Sequence, residues 1–172
     1  MKYFILAILL GLNIAATCQT TEVVVFSWPK GEKWNLVSTV DSVKCIIKEF
    51  LKEGENKENW TEKITEKTLK AFKGISKDKD YSMKMSMLVG FAATKDIYPE
   101  AILTELKKDT KANCPWIIFK IEVPGKYTEI LHMIQGENEF FVTIWKTRKN
   151  GISKEEQSKW IRFLKGGKIK IN

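Results

Sequence analysis

Three strand-like runs in close succession constrain this chain most. Trp116 to Val123 (WIIFKIEV), Thr128 to Gln135 and Glu139 to Thr147 are rich in β-branched and aromatic residues. Pro124-Gly125-Lys126 separates the first two runs, and Gly136-Glu137-Asn138 separates the last two. Connections this short join antiparallel strands, because a parallel crossover needs a dozen residues or more. Antiparallel sheet is therefore the element around which the remaining segments are read.

The chain has 172 residues, which suits one domain, and 44% of them are hydrophobic against 29% charged. Glu22 to Phe26 (EVVVF), Trp34 to Val40 and Val43 to Leu51 read as further strands. Lys52 to Asn59 is polar, contains Gly54 and reads as a loop, and Lys73 to Asp80 reads as a charged loop. Trp60 to Phe72 fits both helical and strand spacing. Tyr81 to Phe91 alternates with period two, yet its Met, Lys and Leu content favours helix, so both readings stand.

Two helices are expected elsewhere. Pro99 and Glu100 suit a first turn, Ile102, Leu103 and Leu106 supply an apolar stripe, and Asn113-Cys114-Pro115 ends the segment. Ser153-Lys154-Glu155-Glu156 is a capping box that opens a C-terminal helix. There Trp160, Ile161, Phe163 and Leu164 share one arc, while Lys154, Arg162 and Lys165 lie opposite. Gly166-Gly167 stops this helix, and Ile169 and Ile171 suit a short edge strand. The fold class expected is α+β: an antiparallel sheet with packed helices, including an amphipathic C-terminal one.

The first residues read as an address. Lys2 precedes the apolar run Phe4 to Leu10, and Ala15 and Ala16 follow, as in a secretory signal peptide. Residues 1–17 are assigned to it, and residues 18–172 to a single domain. Cys18 stands where a bacterial lipoprotein carries its lipidated cysteine, whereas Ala16 suits ordinary cleavage; both routes stay open. Cys45 and Cys114 are a candidate disulfide pair in an exported chain, with two buried thiols as the alternative. The localisation expected is periplasmic or secreted, with any membrane attachment made only through a lipid anchor.

Charge is concentrated at the C-terminal end. From Lys146 to Asn172, nine basic residues face Glu155 and Glu156 alone, giving this segment +7 of a total of +8. Such asymmetry points to an anionic partner, either a protein or an anionic envelope surface, and nucleic acid is not expected for an exported chain. The helix face Lys154, Arg162 and Lys165 is the first candidate binding surface. The loop residues Glu55, Asn59 and Trp60 are the second, because loops often carry function.

Enzymatic readings are narrow. The single histidine, His132, excludes a multi-histidine metal site within one chain and leaves one imidazole base. His132 sits between Ile130 and Ile134 on one strand face, which suits a buried structural residue; the sharper alternative makes it the base of a thiol enzyme with Cys114. The chain has no P-loop, G-x-G-x-x-G, C-x-x-C or H-E-x-x-H pattern. Met83, Met85 and Met87 resemble a copper-binding methionine motif but suit a packed face better. No cofactor, metal or catalytic residue is assigned, and the chain is expected not to be an enzyme.

A resemblance accompanies these readings. Phe50-Leu51-Lys52-Glu53-Gly54-Glu55 is followed by Asn59-Trp60-Thr61-Glu62 and a strand. Cys114-Pro115 comes later, then Glu129 to Gln135-Gly136 and the aromatic run Phe140 to Trp145. In these blocks the chain resembles a family of small exported bacterial proteins of unknown function, which brings no catalytic motif. The order of strands and helices also resembles the PsbP/Mog1 type of α+β sandwich, a fold-level likeness that implies little about activity.

Overall fold

A computed structural model of the chain describes residues 22–29, 31–70, 79–149 and 151–171. The expected signal peptide, Cys18 and nearly all of the expected charged loop after Phe72 lie outside these residues. The elements are β1 (Glu22–Val25), β2 (Trp34–Asp41), β3 (Cys45–Lys52), β4 (Glu62–Leu69), α1 (Lys79–Ile97), β5 (Ile102–Asp109), β6 (Trp116–Val123), β7 (Tyr127–Gln135), β8 (Phe140–Thr147), α2 (Lys154–Lys165) and β9 (Lys168–Ile171).

Seven strands form one antiparallel sheet in the order β2-β3-β4-β8-β7-β6-β5. It consists of two hairpin arrays, β2–β4 and β5–β8, joined by the pairing of β4 with β8. A separate antiparallel ribbon pairs β1 with β9, Glu22 opposite Ile171 and Val25 opposite Lys168.

Alternation along the strands splits the core between the two faces of the sheet. On one face Ile117, Phe119, Ile121, Leu131, Met133 and Phe140 pack with Met83 and Met87 of α1. On the other, Ile64, Ile118, Ile130 and Trp145 pack with Phe26 and with Trp160, Ile161, Phe163 and Leu164 of α2. The α2 layer thus shares its side of the sheet with the ribbon.

The expected α+β class is corrected. Among the described residues strands take 47% and helices 21%, so the fold is dominated by its antiparallel sheet. The helix expected from Pro99 is in fact strand β5. Leu103 packs on the α1 side and Leu106 on the α2 side, with a bulge between Glu105 and Lys107. A spacing of three puts two residues on one helix face but on opposite faces of a strand. The two ambiguous segments resolve in opposite ways: residues 62–69 are strand and residues 79–97 are helix. No helix among the described residues is long and apolar enough to cross a membrane.

Candidate functional site

The C-terminal helix begins as its capping box requires. The Ser153 side chain accepts a hydrogen bond from the Glu156 amide at 3.0 Å, satisfying one of the free N–H groups of the first turn. Its own backbone and the Ser153 side chain hold the Glu155 carboxyl below the usual range. The inner face is held by aromatic contacts. Trp160 stacks on Trp145 at 4.7 Å between ring centroids, meets Trp34 edge-on at 5.9 Å, and lies against Phe163. Phe26 and Trp28, on the segment that follows β1, close this cluster. Gly167 lets the chain turn from α2 into β9 beside Phe26, because a Cβ at this position would collide with the Phe26 ring.

This anchoring turns the basic arc outward. Lys154, Arg162 and Lys165 are exposed and have no acidic partner among the described residues; Lys165 sits over the Trp116 ring at 5.6 Å. Lys159, further round the helix, pairs with Glu32. The ribbon extends the arc. Val24 and Ile169 face the core, so the alternate residues Val25, Lys168 and Lys170 face outward. Lys168 and Lys170 also lack an acidic partner among the described residues, and both are exposed. Some sheet lysines are paired instead: Lys52 with Glu62, Lys63 with Glu49 and Lys146 with Glu129, each at 2.8 Å. The sequence identifies the three helix cations; that Lys168 and Lys170 join them depends on the pairing of β9 with β1, which only the tertiary structure supplies.

The second candidate surface is largely occupied with holding itself together. A Glu55 oxygen accepts from the Thr61 amide at 3.0 Å and from the Thr61 hydroxyl. The Asn59 side chain accepts from the Asn56 amide at 2.9 Å, and the Asn56 side chain accepts from the amides of Glu58 and Asn59. Trp60 is half-buried, with the Arg148 guanidinium 4.3 Å from its ring centroid and the Lys63 ammonium 5.4 Å away. A shallow groove of about 200 Å³ runs beside it, lined by Val37, Glu49, Leu51, Lys57, Trp60 and Lys63. The positive φ of Gly54, 85°, makes the turn that starts the loop.

The candidate disulfide is corrected: Cys45 and Cys114 are not joined. The register shows why. Cys45 is level with Leu69, Leu69 with Phe140, and Phe140 with Gln135, whose amide bonds to the Pro115 carbonyl. The row crosses four strand spacings, about 19 Å at 4.8 Å each, against the roughly 7 Å that a disulfide spans between Cα atoms.

The Cys114–His132 pair also fails to converge. His132 lies opposite Ile118, four residues beyond Cys114, or about 13 Å along the strand. The imidazole is 2% exposed and meets the Trp116 ring edge-on at 5.7 Å. Neither ring nitrogen has a partner in hydrogen-bonding geometry. Burial pushes its pKa down to about 3, and the Leu164 carbonyl pulls weakly the other way. Met83, Met85 and Met87 do not form a joint site either: Met83 and Met87 are buried in the core, one helical turn apart, and Met85 lies off that line.

Two buried carboxylates escaped sequence reading. Glu22 accepts from the amides of Glu137, Asn138 and Glu139 at 3.0, 3.0 and 3.1 Å, so β1 is fastened to the β7–β8 turn. Glu62 accepts from the Trp145 indole N–H at 3.1 Å and pairs with Lys52. Glu22 also borders a cavity of about 80 Å³ under the ribbon, with Lys48, Glu66 and Glu139. Burial raises the Glu66 carboxyl while Lys48 lowers it; burial and then Glu22 raise that of Glu139, against Lys70. No group of three or more His, Cys, Asp or Glu side chains is placed to hold a metal ion among the described residues.

Compared with known proteins, the chain matches no family model and no curated sequence.

Proposed function

We propose that this chain is an exported, non-enzymatic binding protein that lies against an anionic envelope surface through α2 and β9. The observation that carries the reading is the outward row Lys154, Arg162, Lys165, Lys168 and Lys170, which lacks acidic partners among the described residues. The row follows a helix about 18 Å long and continues onto the ribbon. The row spans two elements along their outward faces, so its shape suits an extended surface better than a small ligand. Val25, on the outward face of the ribbon, and Trp28 beyond it add exposed apolar and indole surface of the kind that settles at lipid headgroups. An anionic lipid surface is therefore favoured over an acidic protein.

Each cation near an anionic bilayer contributes about 1 kcal/mol, so the row is worth about 5 kcal/mol at low salt. The test is co-sedimentation with vesicles of phosphatidylglycerol and phosphatidylcholine, against vesicles of phosphatidylcholine alone. Binding is expected only to the anionic vesicles, and it should weaken between roughly 50 and 300 mM salt. The double variant R162E/K165E should bind at least about tenfold more weakly, with its unfolding midpoint unchanged. Equal binding to both vesicle types, or binding indifferent to salt and to the two reversals, overturns the proposal.

A further inference from the structure

Among the described residues both sheet edges, β2 and β5, lack a pairing partner on their outer side, but they are built differently. β5 carries Glu105, Lys107, Lys108 and Asp109, charges of the kind that keep an edge from pairing with another chain. β2 (WNLVSTVD) carries one charge, Asp41, and leaves Leu36 and Val40 each 54% exposed. In a chain of net charge +8, this nearly neutral apolar edge stands out as a surface where two copies do not repel.

The bulge in β2 defines how such an edge can pair with itself. Trp34 and Leu36 share a face with Lys52 and Phe50, and beyond the bulge Thr39 and Asp41 share that face with Lys48 and Ile46. Asn35, Ser38 and Val40 lie on the opposite face, with Leu51, Glu49 and Ile47. Residues directly opposite in an antiparallel pair must point to the same face. One register satisfies this along the whole strand: Trp34 opposite Asp41 of the second copy, Asn35 opposite Val40, and Leu36 opposite Thr39. Its centre falls between Val37 and Ser38, so the two bulges meet at the twofold axis. A slip by one residue sets every pair except the one on the axis on mismatched faces.

Charge does not oppose this register. Asp41, the single charge of β2, comes opposite Trp34 of the second copy and is already paired with Lys70, so no two like charges are set against each other across the junction.

We infer that β2 is a self-association edge, through which two copies of this chain form an isologous dimer with one continuous antiparallel sheet. The twofold axis of such a pair is perpendicular to the sheet, so faces are preserved. Both α2–β9 layers come to lie on one side, and the dimer presents two basic rows in the same direction. This last consequence rests on the surface-binding proposal; the dimer itself does not.

The test is sedimentation velocity of the intact chain over roughly 1 to 100 μM, where a concentration-dependent dimer is expected. The double variant L36K/V40K should be monomeric with an unchanged circular dichroism spectrum. I102K, on the β5 edge, and L88K/V89K, on the outer face of α1, should both remain dimeric. A wild-type chain that stays monomeric throughout overturns the inference, as does a dimer that survives L36K/V40K or is lost in L88K/V89K. Vesicle binding by monomeric L36K/V40K, weakened by lost avidity but still salt-sensitive, separates this inference from the surface proposal. If the dimer forms and no protein binds vesicles, the surface proposal fails alone.

Discussion

His132 makes the stability of this protein depend on pH in a window that no other histidine shares, because the chain has only one. Its pKa is about 3 in the folded state and about 6.5 when exposed in the unfolded chain. A depressed folded pKa means that the unfolded state binds the proton more readily. The neutral imidazole therefore contributes stability that is full above pH 6.5 and is lost progressively as pH falls towards 3. Between pH 7 and pH 5 the loss is about 2 kcal/mol, and complete protonation costs about 5 kcal/mol. Glu66 and Glu139 push the other way, since their raised pKa values stabilise the fold as pH falls. A variant is therefore needed to isolate the imidazole. His132→Leu suits, because the Leu164 carbonyl near the ring already accepts from the Gly167 amide at 3.1 Å, so an apolar side chain leaves no group orphaned. Urea unfolding followed by tryptophan fluorescence at pH 7 and pH 5 should show the wild type losing about 2 kcal/mol more than the variant. Equal losses in the two proteins would refute the assignment.

Two further substitutions probe how the ribbon is held. Glu22→Ala removes the acceptor for three backbone amides and should cost about 2–3 kcal/mol, lowering Tm by roughly 4–10 °C; Glu22→Gln should cost less, and a Tm unchanged in both would mean that the carboxylate holds nothing. Gly167→Ala places a methyl group against the Phe26 ring and should cost about 1–3 kcal/mol by overpacking, read as a lower urea midpoint; Gly90→Ala, where a Cβ meets nothing within 4 Å, is the control that should not destabilise.

The legible parts of the fold were those in which local pattern and tertiary environment agree. β6, β7 and β8 were visible because their β-branched runs are buried and their turns carry Gly or Pro. The capping box of α2 worked as an isolated local signal, and the Trp160 to Leu164 arc matched a face that the sheet covers. The burial of His132 followed from its place between Ile130 and Ile134. β5 misled because an edge strand buries little on either side: Leu103 and Leu106, touching different cores, imitate a helical stripe. In α1 the methionine alternation imitated a strand, although only Met83 and Met87, four apart, enter the core. The basic helix face was readable because helix geometry fixes which residues share an arc. Glu22 was not, since the amides it binds lie more than a hundred residues away in sequence.

The pairing of β1 with β9 imposes an order in time. Each hairpin array closes through short loops, and its strands find their partners among residues close by in sequence. The ribbon joins Glu22 to Ile171, so its loop-closure entropy is small only once the sheet has brought both ends together. On a chain that emerges from its N-terminus, β1 waits unpaired until β9 exists. Glu22 then docks on the β7–β8 turn while Phe26 closes over Gly167, so the step that completes the aromatic core is the step that pairs β1 with β9. A chain halted before Lys168 would hold its sheet but leave that core open on one side, and so remain recognisable as unfinished.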